Sequence, residues 1–340
     1  MSAKKWKVNL TNLTPVQIGD GSVLDPTDYI AREGYVYYLN QINYLSFLLQ
    51  KSNNALSHAL DSSDLTAIIK IMADNFDAGI KEHWKSRTKV STNFCNLWYD
   101  NLSRISSSQQ LHRFIRQQAN DQPYIPASSL KGVMRTAILD NLAKDEKKRK
   151  DIDLALRERR FNSTNAEAIL LENLNMRGNF DMTTDPFKYF KVTDALLNEN
   201  DLFIDSILRY GMSENELPVY YEMVTPETAC TFYLEADAEF LKIAPDPVRI
   251  LRQYNLHLLK KEVEWMKKND ADRFREFYNN LIVRFNETVN TSDQTVIRLG
   301  FGSGQWGLSL HYYWKENLKT KAVWNNSLLG WVHLRFEEIR

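Results

Sequence analysis

The stretch YIPASSLKGVMRTAIL, Tyr124–Leu139, changes from one backbone period to another within a few residues. Pro126 pushes Ile125 towards extended backbone, so the residues before it read as the end of a strand. Ser128 or Ser129 is a natural helix N-cap. Beyond them Leu130, Val133, Met134, Ala137 and Ile138 recur at helical spacing and make one apolar face. Lys131 and Arg135, four apart, lie side by side at its edge. A strand therefore hands over to an amphipathic helix here, and the same handover organises the chain on either side.

Towards the N-terminus, Lys5–Leu13 alternates as a strand with Trp6, Val8, Leu10 and Asn12 on one face, and Gly34–Asn40 reads as a second. From Ile42 to about Gln118 the pattern is helical, with Ile68, Ile69, Met72 and Phe76 on one face and Leu111, Phe114 and Ile115 on another. Towards the C-terminus, Phe203–Tyr210 and Val219–Asp237 read as strands, the latter hinged at Pro226. Asp246–Phe285 is helical with Leu251, Leu258, Leu259 and Val263 inward, and Thr295–Leu299, Leu308–Trp314 and Leu328–Phe336 close the chain as strands. Strands, helices, strands, helices, strands fit an α+β fold better than a regularly alternating parallel sheet. We expect two α+β halves, 1–195 with a helical insertion at about 42–118, and 196–340. The charged run Lys144–Arg160 reads as a solvated helix face or an insertion.

Two motifs break local rules. A cation in the first helical turn opposes the macrodipole by roughly 0.3–1 kcal/mol. Like charges four apart cost about 0.2–0.5 kcal/mol, and Gly132 about 1 kcal/mol relative to alanine. An anion docked at the helix start would reverse the first two terms, and Gly132 would leave it room. A solvated lysine and arginine on a tolerated core helix is the plainer reading. The second motif, RLGFGSGQWGLSL at Arg298–Leu310, carries Gly300, Gly302, Gly304 and Gly307 between strand-like runs. Its G-x-G-x-x-G spacing is no dinucleotide signature, because no βαβ unit follows, and the ending of a phosphate-binding P-loop is missing. Either a tight turn needs the glycines, or a flexible backbone clamps a nucleic-acid strand, with Ser303 and Gln305 bonding and Phe301 or Trp306 stacking.

The chain has 340 residues, with 43 basic and 43 acidic side chains, so formal charge is zero and any basic groove must be local. Cys95 and Cys230 have no CxxC partner, which argues against a zinc cluster or a disulfide scaffold. No signal peptide or membrane span is evident, so a cytoplasmic protein without membrane contact is expected.

In sequence order, IPASSLKGVMR at Ile125–Arg135 resembles the IPgSSlKGalR helix of the repeat-associated (RAMP) proteins of CRISPR systems. LGFGSGQWG at Leu299–Gly307 resembles their C-terminal glycine-rich loop, and LTPVQIGDG at Leu13–Gly21, followed by Asp28–Ile30, their opening strand and loop. DPFKYFKVTDA at Asp185–Ala195 and YYEMVTPETACTFYLEA at Tyr220–Ala236 are similar to the terminal-subunit family of type III-A (Csm) effectors. The resemblance implies a ferredoxin-like, RRM-derived core and a non-catalytic RNA-binding role. Such a subunit caps the 3′ end of the guide RNA filament and assists guide maturation in antiviral defence. It implies guide RNA contacts at Ser128, Ser129, Lys131, Arg135, Gly302, Ser303, Gly304 and Gln305. The implied partners are guide RNA, the other Csm subunits (chiefly the backbone subunit) and host maturation nucleases, with no cofactor and no metal. Ala127 departs from the family's glycine, and the helical insertion lies outside its motifs.

An endoribonuclease processing guide precursor is the alternative, and His311 and His333, near the glycine loop, are its acid–base candidates. His58, His83, His112 and His257 fall in helical stretches. Asp20, Asp25 and Asp28 form an acidic cluster that caps and shapes its loop, with metal binding by Asp25 or Asp28 as the alternative. Tyr35 and Tyr37 share a strand face and either pack in the core or stack bases. A scaffold with mainly protein–protein contacts is the third reading.

Overall fold

The computed structural model describes residues 2–51, 54–91, 94–96, 98, 110–155, 163–173, 181–209, 219–269, 271–289, 291–303, 310 and 321–339. Helices and strands are both abundant, and the fold is α+β. The chain forms two compact units that are not its two sequential halves. One comprises Met1–Val16, Ile125–Leu196 and Pro226–Arg340, the other Gln17–Tyr124 and Leu197–Thr225. The expected single break near residue 195 is therefore corrected. Lys4–Asn12 pairs with both Ala229–Ala236 and Trp331–Ile339, which binds the N-terminus into the sheet made by the C-terminal part.

In the first unit the sheet runs in the order Gln294–Arg298, Trp331–Ile339, Lys4–Asn12, Ala229–Ala236, Phe190–Val192, every neighbouring pair antiparallel. Lys4–Asn12 buries Trp6, Val8, Leu10 and Asn12, the face that strict alternation dictates. The helices Ala127–Leu142 and Pro247–Lys268 pack on each other, and both touch the sheet. Apart from the edge strand Gln294–Arg298, the core elements follow in chain order as strand, helix, strand, strand, helix, strand. In the sheet those strands stand as fourth, first, third, second. Pro247–Lys268 starts on Asp246, whose side chain accepts from Arg249 N at 3.0 Å, with Pro247 in the first turn. It buries Leu251, Leu258 and Leu259 as expected, but Glu262 takes the inward position and Val263 is half-buried.

In the second unit a sheet runs Val23–Leu24, Leu111–His112, Val219–Val224, Leu202–Arg209, Trp84–Val90, Tyr35–Leu39, Tyr29–Arg32. Helices Gln41–Lys51, Ala55–Asp61 and Leu65–Asn75 share its core through Tyr44, Leu48, Leu56, Ile69 and Met72. The helical reading of 42–118 thus holds to Asn75 and again at 94–96 and Trp98, but not at Trp84–Val90 or Leu111–His112. Trp84–Val90 is a strand whose buried face carries Ser86 and Thr88, bonded to Asp121 and Glu222. Small polar residues on the inner face conceal a strand from a test of hydrophobic period. Leu111–His112 is also a strand, set by pairing with Tyr220–Tyr221, so His112 is not helical.

Candidate nucleic-acid interface

The helix carrying the lysine motif begins at Ala127, with Pro126 as its extended N-cap and neither serine capping it. Proline suits this boundary because it has no N–H to leave unsatisfied. The cap comes from elsewhere in the chain: Asp194 Oδ1 accepts from Ala127 N at 2.7 Å. Asp194 thereby supplies the anion that the helix dipole favours. Counting from Ala127, Lys131 stands in the second turn, where the dipole term has largely decayed, so its expected penalty shrinks. Leu130, Val133, Met134, Ala137 and Ile138 are all buried, as their spacing requires.

On the opposite side Ser128 and Gly132 are exposed, while Ser129 and Lys131 are half-buried. A Cβ built on Gly132 meets nothing within 4 Å. Lys131 forms no hydrogen bond or ion pair among the described residues, and partial burial, partly offset by Asp185, holds its pKa below the ordinary lysine value. Arg135 is differently placed. It donates from Nε and Nη2 to Glu167 Oε2 at 3.1 and 2.7 Å and from Nη1 to Asp185 Oδ2 at 3.0 Å. Its guanidinium also lies 4.4 Å from the centroid of Phe187. Expected as a phosphate contact, Arg135 is a cross-brace within the fold.

The glycine motif is built inward. Gly300, Gly302 and Gly330 have φ of 79°, 82° and 92°, in the left-handed region. A Cβ on Gly302 would lie 2.5 Å from the Ala322 Cβ, and one on Gly330 would lie 2.3 Å from Leu299 O. Ser303 is buried, and its hydroxyl donates to Gly300 O at 2.6 Å, closing the turn on itself. Beneath it, Arg298 Nη2 donates to Gly302 O at 2.6 Å and Nε to Leu329 O at 3.2 Å. Arg298 and Lys321, both buried, share one carboxylate, that of Glu262; Lys321 Nζ lies 2.8 Å from Glu262 Oε1. Burial works to raise the Glu262 pKa, but the two cations outweigh it and hold the carboxyl below its usual range. Burial pushes the Lys321 pKa down to about 8. Gly302 and Ser303 therefore serve the loop's own packing, while Gly304 and Gln305 lie outside the described residues.

Of these contributors the sequence motifs contained Arg298 and Asp194 without pairing either with a partner, and they did not contain Glu262 or Lys321. Glu262 carried one cue, a carboxylate on the apolar stripe of a long helix. Among the other candidates, the three aspartates shape their loop. Asp20 accepts from Ser22 N at 2.8 Å, and Asp28 accepts from Asp25 N at 2.8 Å and from Gln41 Nε2. Tyr37 is core, its centroid 5.1 Å from that of Phe76. Tyr35 is covered by Arg87 at 4.4 Å. His333 Nε2 sits 3.1 Å from Gln294 Oε1, and burial and then Arg284 lower its pKa. His311 lies outside the described residues. Among the described residues no group of three histidine, cysteine or carboxylate side chains is placed to hold a metal, and no helix is long and apolar enough to cross a membrane.

Residues 9–307 match the RAMP superfamily. The chain is 24% identical over 322 residues to the CRISPR system Cms protein Csm5 of Methanocaldococcus jannaschii, covering 86% of this chain and 69% of that protein. It is also 24% identical over 325 residues to the protein of the same name from Streptococcus thermophilus, covering 90% and 80%. Its fold is similar to a chain in a cryo-EM structure of a type III-A Csm–crRNA–target RNA ternary complex, with TM-score 0.71, 20% identity and 98% and 100% coverage. It is similar too to the crystal structure of T. onnurineus Csm5, with TM-score 0.65, 19% identity and 95% and 99% coverage. With the match spanning both the lysine-motif helix and the base of the glycine loop, the chain belongs to the RAMP superfamily.

Proposed function

We propose that this chain is the non-catalytic terminal subunit of a type III-A (Csm) effector ribonucleoprotein. It binds the 3′ part of the guide RNA, caps that end of the filament beside the backbone subunit, and assists guide maturation in the cytoplasm. The observation that carries this reading is the outer side of the Ala127–Leu142 helix. Lys131 stands without an ion pair among the described residues beside an exposed glycine that nothing in the fold requires. A backbone bare of side chains next to a cation and two serine hydroxyls lets a ribose-phosphate strand approach closely. Ser128, Ser129 and Lys131 are the contacts on this side. Gly304 and Gln305 are the contacts from the glycine motif, and Arg135 orients the helix. A zero net charge fits a subunit that shares its guide with basic neighbours. The order of strands and helices in the first unit supports a ferredoxin-like core.

Co-purification of the tagged chain from its host tests the assignment. The expected outcome is a set of Csm subunits with guide RNAs in one complex, and no cleavage of repeat RNA by the purified chain. Recovery of the chain without RNA or Csm partners refutes it, and metal-independent cleavage abolished by His333→Ala establishes the nuclease reading instead.

A further inference from the structure

The base of the glycine loop contains a charge cluster that the lysine motif and the family resemblance do not explain. Glu262 and Arg298 are each 1% exposed and Lys321 3%. Glu262 Oε1 accepts from Arg298 and from Lys321, and Oε2 accepts from Tyr278 at 3.3 Å. Lys321 Nζ also lies 4.9 Å from the Trp265 ring. The two cations come from two described segments, residues 298–303, whose Gly302 carbonyl Arg298 holds, and residues 321–322, and these segments meet where Gly302 packs on Ala322. Beside them Gly302 is packed so tightly on Ala322 that no side chain fits. Asn255 Oδ1 accepts from Arg298 N at 3.2 Å and fixes the same strand end to the same helix.

A buried ion cluster is a poor source of stability, since apolar residues of equal volume serve as well or better. What it supplies is direction: one carboxylate admits its two partners in only a narrow range of placements. We propose that Glu262, Arg298 and Lys321 form a charge clasp that holds residues 298–303 against residues 321–322, making Glu262 and Lys321 positioning residues for the RNA contact proposed at the glycine motif. The RNA part of this inference rests on the function proposed above; the clasp itself rests on the geometry alone. The clasp touches no phosphate, so it governs how well the loop is preorganised and not how many counterions are released.

The test uses full-length Lys321→Met and Lys321→Gln, with amide exchange, thermal unfolding and binding of fluorescein-labelled oligouridylate over a salt series. Methionine fills the apolar surroundings but cannot donate to Glu262, and glutamine can. For Lys321→Met we expect an unfolding temperature at or above the wild-type value and faster exchange at Ser303 and Ala322. Affinity should fall roughly tenfold with an unchanged salt slope. Lys321→Gln should restore both exchange and affinity. Unchanged exchange in Lys321→Met overturns the clasp, as does glutamine behaving like methionine. Faster exchange with unchanged affinity overturns the positioning role. If Lys321→Met fails to fold, the comparison of Lys321→Gln with wild type decides, full protection and affinity supporting the clasp and loss of either overturning it. Wild-type chain that binds no RNA refutes the proposed function, while the exchange data still judge the clasp.

Discussion

Gly132 and Gly302 are both glycines next to cations in motifs of the same superfamily, and they exist for opposite reasons. Around Gly132 there is open space, and its neighbour Lys131 makes no ion pair among the described residues. Gly302 has a left-handed φ, Ala322 in van der Waals collision range of any side chain, and its carbonyl held by a buried arginine. Among the described residues nothing explains the first glycine, and it lies on the exposed side of its helix. The second is fully explained by the fold. A glycine-rich, cation-bearing motif is thus not in itself a ligand site; what separates the two cases is whether a Cβ has somewhere to go.

Substitutions should divide along the same line. The largest effect belongs to Gly330→Ala and Gly302→Ala, where a positive φ and a clash add: a loss of roughly 2–4 kcal/mol in denaturant unfolding. Retention of wild-type stability by either would mean the loop base is looser than its contacts indicate. Arg135→Ala should follow, losing about 1–2 kcal/mol as Glu167 and Asp185 are left without their shared partner. Its RNA-binding salt slope should stay at the wild-type value, whereas Lys131→Ala should lower that slope by about 1 with little change in stability. The reverse pattern would exchange the roles of the two cations.

A smaller effect is a dependence on pH. The Lys321 pKa falls from 10.5 when unfolded to about 8 in the fold, so between these values the unfolded chain holds a proton that the folded chain has released. Stability from this group therefore rises with pH across that window, by about 1 kcal/mol between pH 8 and 9. Lys321→Met should lack this rise, so the stability difference between wild type and variant should grow by that amount over the same window; a difference flat in pH would show that burial does not lower the Lys321 pKa.

Much of the fold could be read beforehand because burial follows period. Trp6, Val8, Leu10 and Asn12 occupy the inner face of their strand, and Leu130, Val133, Met134, Ala137 and Ile138 that of their helix, as their spacing requires. The strand Trp84–Val90 escaped because Ser86 and Thr88 fill its inner face, satisfied by carboxylates far away in sequence. Long-range satisfaction also hid the site chemistry. Asp194 caps a helix 67 residues away, and Arg135 reaches Glu167 and Asp185, 32 and 50 residues on. The family motif located the helix and the loop, but only the packing shows that Arg135 is engaged by Glu167 and Asp185 and that Gly302 and Ser303 pack on the base of the loop.

Gly132→Glu brings the outward-facing claim to a single experiment: guide RNA retained per folded chain after purification from the host. The exposed position accepts the side chain, and glutamate is a better helix former than glycine, so the chain should be at least as stable as wild type. Retained guide should fall by roughly tenfold or more, because a carboxylate then stands where the phosphate would approach. A stable Gly132→Glu chain that keeps its full complement of guide RNA would show that this side of the helix meets no RNA.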